Sequence, residues 1–591
     1  MEGYDNGLAR RRGRALRLLA GIALLVGFGL AAHTAHAQTI YNFTVNTTAD
    51  TPDATPGDGV CDDATGKCSV RAATQEANAL VPPAGGQIIV NVQIPANTYI
   101  LTLGELELLN NTINLNGAAA SSTTISGNNA SRVFYVGCTA PIGNDCNSSG
   151  NTITNAALAT IQNLTITAGN GTGTRGHNGL GGGIYSNTTL TLISDVVNGN
   201  TATSSGGFSG CFSIPGPAAG GGLYQAGYNP LTIQSTTFSG NLAVSTAAFG
   251  YACGGALLDY DGTSNIRSST FTNNVARAPY RAQGGAIAND EQETLAYDTI
   301  SNNQAVSPAT ASTIASAVVG GGIYNDSAMQ IVQSTISNNQ ALDTNPGGQG
   351  DGGGIDNDSN LSISGPTRIL SNTLSTSKFA SGGGIENDDY LFMSSGAIVS
   401  QDIATATGSA GNTSFCAGTS TTFTARNACV EGGGISNYDY LNMHTVSITF
   451  NQAIAKAGTG GTNAVASGGG LGNFAAGTAA QNVNIASNSV SATAPLAANA
   501  VAIGGGVWTL NTPLNLQNSY VQSNSSTMDG GGIYDGHAGP GYVSLSYSQV
   551  MRNTAAHKGG GVFNSYPVSQ TNSPIIGNSA PICPQIVVPC H

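Results

Sequence analysis

The stretch Gly320-Gly321-Gly322-Ile323-Tyr324-Asn325-Asp326, followed at residues 335–339 by Thr335-Ile336-Ser337-Asn338-Asn339, holds both halves of a unit that recurs along the chain. The triplet Gly-Gly-Gly or Gly-Gly-Ala appears twelve times, its third residue at Gly183, Gly222, Ala256, Ala286, Gly322, Gly354, Gly384, Gly434, Gly470, Gly506, Gly532 and Gly561. An aliphatic residue follows every copy. The second half is an apolar-x-x-Asn signature, as in Phe238 to Asn241, Phe271 to Asn274, Ile300 to Asn303, Ile448 to Asn451 and Val550 to Asn553. In the copy after Gly384, Gln401-Asp402 stands where the Asn belongs.

Self-similarity at a fixed spacing marks a solenoid, in which each unit buries its apolar face only by stacking on its neighbours. Runs such as Leu190-Thr-Leu-Ile and Leu361-Ser-Ile-Ser alternate with period two, which is strand periodicity. These features predict an all-β, right-handed parallel β-helix, the hand following from the usual chirality of parallel crossovers. Less regular early strands are expected at 88–92, 99–103, 112–115, 132–136 and 161–166, so the β-helix is placed at 86–580, with about sixteen rungs roughly 4.8 Å apart. Glycine at the corner suits positive φ. Asn also tolerates that region, and stacked corner asparagines form amide ladders. Both signatures therefore read as structural.

Residues 1–37 combine Arg10, Arg11, Arg12, Arg14 and Arg17, an apolar run from Leu18 to Ala32, and Ala35-His36-Ala37, the pattern of a secretory signal peptide. Its removal takes away a net +3, leaving the chain near −16 against the formal −13 of the whole. With 8% charged residues, the surface is polar through Asn, Ser and Thr. Nothing here provides the basic footprint of a nucleic-acid binder. No later stretch is long enough and apolar enough for a membrane helix. A monomer secreted or held at the cell surface is expected. Ten cysteines in an exported chain read as disulfides, and they fall in near neighbours: Cys61 with Cys68, Cys138 with Cys146, Cys211 with Cys253, Cys416 with Cys429, and Cys583 with Cys590.

Two resemblances accompany this reading. The paired GGxI and F-x-x-N signatures resemble those of polymorphic outer-membrane proteins, where they mark β-helical passenger rungs and imply a surface or outer-membrane-associated location. The stretch Gly57-Asp-Gly-Val-Cys61, then Cys68-Ser-Val-Arg-Ala-Ala-Thr-Gln-Glu-Ala-Asn78, resembles the CSLREA domain of secreted bacterial β-helix proteins, with Val70 and Ala72 departing from its motif. Residues 38–85 are accordingly expected to form an N-terminal cap. Ser69 would start a short helix that presents Val70, Ala73 and Ala77 to the solenoid end. Residues 581–591 read as a disulfide-closed tail. Polymorphic outer-membrane proteins continue into a membrane β-barrel, for which these eleven residues leave no room.

Chemistry is sought in what varies between the signatures. Three residues after the triplet stand Asp259, Asn289, Asn325, Asn357, Asn387, Asn437, Asn473, Asp535 and Asn564, with carboxylates close behind at Asp290, Glu291, Asp326, Asp358, Asp388, Asp389 and Asp439. Asp356 and Glu386 join them from the preceding position. Turn chemistry alone accounts for an Asn/Asp column. Stacked carboxylates also recruit cations, and oxygen-only ligands suit calcium, for which Asp358, Glu386, Asp388, Asp389 and Asp439 are candidates. An enzyme reading, a polysaccharide lyase or glycoside hydrolase, would take its acid and base from Asp356, Asp358, Asp388 and Asp389. Against it, these acids recur in register, and the histidines are scattered. The favoured reading is an adhesin-like protein that binds a polysaccharide or a cell-surface ligand. Insertions at 201–219, 242–252, 304–319, 403–431, 452–467 and 489–503 all fall between the Asn and the next triplet, hence on one side of the rod. Tyr390, Tyr438 and Tyr440 beside the acidic column are the candidate sugar-stacking residues, with Trp508 nearby.

Overall fold

A computed structural model describes residues 38–591 apart from 85, 139–145, 147–155, 175, 207–209, 212–215, 228, 261, 310–315, 410–413, 417–423, 475–476, 511–512, 537–542, 565–567, 584–585 and 588–591. The segment in which the export signal is expected, and Cys590, lie outside the described residues.

The chain is a right-handed parallel β-helix. A central rung shows the path. After Gly352–Gly354 come the strands Ile355–Asn357, Asn360–Ser364, Arg368–Leu370, Thr373–Thr376 and Phe379–Ser381, and the next triplet follows. Each strand pairs with its copies in the rungs before and after, giving five parallel sheets that we number I to V in that order, of 15, 16, 15, 11 and 9 strands. Side chains alternate between faces in each strand. Ile355, Leu361, Ile363 and Ile369 therefore all point inward, into a continuous apolar core enclosed by sheets I to III.

Sheets IV and V were not foreseen. The supposed insertions are largely two strands, one outgoing and one returning, that pack on each other through Ala404, Ala406, Ala428, Val430, Ala453, Ala455, Ala464 and Ala466. Residues this small let the two sheets approach closely and form a second, thin lobe alongside the main one. Residues 310–315, 410–413 and 417–423, within the predicted insertions, lie outside the described residues.

The two signatures meet at the waist between these lobes. The first glycine is left-handed, with φ +57° at Gly352 and +72° at Gly382. The second admits no Cβ: one on Gly353 would stand 2.2 Å from the Gly383 carbonyl oxygen and 2.8 Å from the Thr373 carbonyl carbon. The third faces Asn372 of its own rung, whose Cγ would stand 3.0 Å from a Cβ on Gly354, and this is the position where Ala256 and Ala286 occur. The near-constant spacing of triplet and Asn thus reflects contact across one rung.

The ladder asparagines are fully buried, and their own φ is not positive. The left-handed residue is the one before, as at Asn273, Asn302, Asn338, Ser371, Gln401 and Phe450. Each Asn Nδ2 donates to the Oδ1 of the next Asn and to a carbonyl of the previous rung; Asn339, for example, bonds Asn372 Oδ1 at 3.0 Å and Ile300 O at 2.9 Å. The ladder runs from Asn200 to Asn578, with Asp402 as a member. A second buried ladder, Asn289–Asn325–Asn357–Asn387–Asn437–Asn473, lines the turn between sheets I and II.

At the N-terminal end, helix Val70–Ala79 starts at Ser69, whose hydroxyl accepts from Ala72 N at 2.9 Å. Arg71 pairs with Asp50 at 2.6 Å and donates to the carbonyls of Gly104 and Glu105, while Asn78 bonds Glu107 O and Leu109 N. The helix therefore satisfies polar groups of the first rungs while it covers their apolar end. Strand Gln38–Thr44 extends sheet II, pairing with Gln87–Ile94, and Ile586–Val587 extends sheet I at the other end. The expected run 161–166 divides into Leu158–Gln162 and Thr165–Thr167, because Asn163 turns the chain at φ +59°. Disulfides join Cys61 to Cys68, Cys138 to Cys146 and Cys211 to Cys253; Cys429 and Cys583 are disulfide-bonded too. Among the described residues no helix is long and apolar enough to cross a membrane.

Candidate functional site

Where sheet V turns into sheet I the outer surface folds inward, forming a crease along the rod. The middle residue of each sheet I strand faces this crease because its two neighbours face the core. All three positions are buried, so the outward one is buried as well. Toward the N-terminus the column is aromatic: Tyr135, Tyr185 and Tyr224 stack at 5.4 Å. In the central rungs it runs Tyr324, Asp356, Glu386, Ser436. Sheet V supplies Asp351, Ser381 and Glu431 from the opposite wall, in register with one another.

The structure brings Asp356, Asp358 and Glu386 together, each offering a carboxylate oxygen within 4.8 Å of the others. Asp356 and Glu386 are 2% and 3% exposed, and among the described residues Asp356 Oδ1 and Glu386 Oε2 have no hydrogen-bond partner. Asp358 is half-buried and accepts from the Tyr324 hydroxyl at 3.0 Å. Asp388 is exposed at the rim. Asp389 and Asp439 do not join the group; their backbone carbonyls accept from Asn387 and Asn437 of the second ladder.

Burial, then charge repulsion, sets the acidities here. Asp356 is pushed well above the usual carboxylate range by desolvation and by Asp358 and Asp351, and Glu386 by desolvation and by Asp388 and Asp356. Asp351 is raised to about 8 by burial and the Asp388 charge, with Arg281 opposing. Asp358 is raised to about 6 by the same causes, against Arg281 and the Tyr324 hydroxyl. Burial works against the charge of Arg281, but Tyr324, Asp358 and Asp356 outweigh it, so the guanidinium stays ionised. Glu431 accepts from the Tyr438 hydroxyl. Three carboxylates so placed can coordinate a divalent cation.

Asp351, Glu431, Arg281 and Tyr324 were missed from sequence. Asp351 and Glu431 each stand immediately before a triplet, but so do Gln283, Ser381, Ser467, Asp529 and Lys558, so that position did not single them out. Arg281, two rungs from Gln349 in the same sheet V column, had no local mark.

The three candidate tyrosines separate. Tyr438 lies half-buried in the crease, stacked on Phe474 at 4.6 Å. Tyr390 and Tyr440 stand outside it, on the outer face of sheet II, 37% and 38% exposed, their rings stacked at 5.0 Å and 6°. Beside Tyr390 a shallow groove of about 280 Å³ is walled by Gln292, Thr294, Gln330, Asn360 and Ser362.

No protein-family model matches this chain, and no curated protein does. Among solved structures it is similar to Dettilon tailspike protein (gp208), at 10% identity over 98% of this chain and 74% of that one, with a TM-score of 0.23. A likeness this remote carries nothing about function.

Proposed function

We propose that this chain is a secreted or cell-surface protein that binds a polysaccharide on the outer face of its central rungs without cleaving it. The stacked, exposed Tyr390–Tyr440 pair beside a groove walled by amides and hydroxyls carries this reading. The aromatic faces offer an apolar platform to a sugar ring, and the polar wall offers partners to its hydroxyls. The export-type segment at residues 10–37 and the resemblance to CSLREA-domain and polymorphic outer-membrane proteins support the location. The protein acts as a monomer in this reading, and calcium is the cation it assigns to the acidic crease.

The rival is a glycoside hydrolase or polysaccharide lyase, favoured by the raised Asp351 and Asp358, since a carboxylic acid kept protonated near neutral pH is what a general acid requires. The Asp356–Asp358–Glu386 oxygens, within 4.8 Å of one another, are too close for the roughly 6.5–9.5 Å of an inverting pair but near the roughly 5–5.5 Å of a retaining one, so product analysis decides between the two readings. The test is incubation of the mature chain with a panel of neutral and acidic polysaccharides. We expect retention on at least one of them, lost in Tyr390→Ala/Tyr440→Ala, with no products. New reducing ends or unsaturated products would establish the enzyme instead, and no retention on any glycan would refute both.

A further inference from the structure

We propose that the crease holds one divalent cation of the calcium type, bound by Asp356, Asp358 and Glu386 with Ser436 closing the shell. The inference deepens the reading above by specifying its cation site, and it stands on observations separate from the tyrosine platform.

Asp356 and Glu386 hydrogen-bond each other through one oxygen each, while Asp356 Oδ1 and Glu386 Oε2 are buried with no hydrogen-bond partner among the described residues, so an entering cation would displace one shared proton. A buried acceptor left unmade is costly, and here, unlike at the isolated Glu293 and Asp402, two such carboxylates share one crease with a third. Ser436 is a separate sign of the same kind. It lies one rung beyond Glu386 on the crease face, fully buried, and its hydroxyl has no partner among the described residues. It carries no charge, so repulsion among carboxylates does not explain it.

Geometry narrows the occupant. Two oxygens on one calcium ion, each at about 2.3–2.6 Å, are at most roughly 5 Å apart. The three carboxylate oxygens fall within 4.8 Å of one another, a spacing that small side-chain adjustments bring to a common calcium ion. Magnesium demands near-ideal octahedral geometry at about 2.0–2.1 Å, whereas calcium accepts irregular oxygen sets at longer distances, so the competition experiment includes both ions. The all-oxygen set, without histidine or cysteine, disfavours zinc and copper. Arg281 supplies one positive charge to Asp356 and Asp358, too little to balance them together with Glu386. The half-buried Asp358 marks the open side, through which the ion would enter and keep water ligands.

The experiment uses the mature chain, stripped with chelator and held at pH 7.5. Terbium is titrated in and its emission sensitised through tyrosine, Tyr324 being hydrogen-bonded to Asp358; calcium and, in parallel, magnesium then compete with it, and calorimetry gives the stoichiometry. We expect one saturable site, a calcium-dependent rise in melting temperature, and binding about tenfold or more weaker in Glu386→Gln and in Asp356→Asn. Asp58→Asn, in the cap, should bind as wild type does. No saturable terbium signal, or no calcium-dependent thermal shift in the wild type, overturns the site even if the variants fail to fold. Folded variants with unchanged affinity overturn the ligand assignment. Because polysaccharide retention is read separately, in chelator, loss of the cation site leaves that reading standing, and the converse also holds.

Discussion

Asparagine in place of Asp402 should stabilise the solenoid, increasingly so as the pH rises. Asp402 occupies a ladder position whose regular occupant donates two hydrogen bonds. Asn451, one rung on, gives Nδ2 to Val399 O at 3.1 Å and to Asn488 Oδ1 at 3.0 Å. Asp402 Oδ1 does the accepting half, taking Asn372 N at 2.7 Å and Asn372 Nδ2 at 2.9 Å. Its Oδ2, where the amide nitrogen belongs, is buried without a partner. By analogy with its neighbours, an amide there would reach Ile369 O and Asn451 Oδ1. Two bonds at about 1 kcal/mol each, and removal of an unsatisfied acceptor worth a further 1–3 kcal/mol, give a gain of roughly 3–5 kcal/mol where the wild-type carboxyl is ionised or strained. Burial pushes this carboxyl well above its ordinary value, with the Asn372 bonds opposing. A carboxyl with a raised folded pKa costs nothing below the unfolded value. Wild-type stability then falls as the pH climbs from about 4 towards the folded pKa. The advantage of Asp402→Asn should therefore be small at pH 4, where the protonated acid resembles an amide, and large at pH 8. Denaturant midpoints at the two pH values, with hydrogen exchange at the Asn372 and Asp402 amides, measure it. Because stability in a stacked array is nearest-neighbour, added protection should centre on these rungs. Equal midpoints at pH 8, or a gain independent of pH, would refute the reasoning.

Three further outcomes follow from the same geometry. Glu293 points into the main core between Ser264 and Met329, with neither carboxylate oxygen partnered among the described residues, and is pushed well above its normal value by burial and by Asp259 and Asp298; Glu293→Met should raise the melting temperature at pH 8 and lose that advantage near pH 4. Phe450 holds φ +60° before the ladder Asn and is 56% exposed, so Phe450→Asn should gain about 1 kcal/mol in denaturant titration by relieving left-handed strain. Gly353→Ala would drive Cβ to 2.2 Å from the Gly383 carbonyl oxygen and should prevent normal folding, whereas Gly354→Ala, whose Cβ would stand 2.7 Å from the Gly384 carbonyl oxygen at a position where other rungs accommodate Ala256 and Ala286, should lower the melting temperature but keep a cooperative melt.

Much of the candidate site could be read from local pattern, because the column of residues after the triplet repeats in register. Asp356, Asp358 and Glu386 were visible as acids at like positions in consecutive rungs. Asp351 and Glu431 were not, since nothing local reveals that the residue before a triplet faces the residue two after it. Asp389 and Asp439 looked equivalent to Asp358, yet one step along a tight turn redirects a side chain, and these two supply backbone carbonyls to an asparagine ladder. The inserted segments were read as loops because their alanines show little hydrophobic contrast. Alanine becomes informative only when a second strand is known to lie against it.

Repetition alone carried the parallel stack, the hand and the inward set of Ile, Leu and Val. A rung that cannot bury its face except on a copy of itself leaves few other architectures. Pinching of each rung into two lobes, contact of glycine with asparagine across the waist, and convergence of carboxylates in the crease came from folding. All three depend on residues from different strands or rungs meeting at a sharp corner. A three-residue strand buried at every position shows no alternation by which the chain could announce which way its middle side chain points.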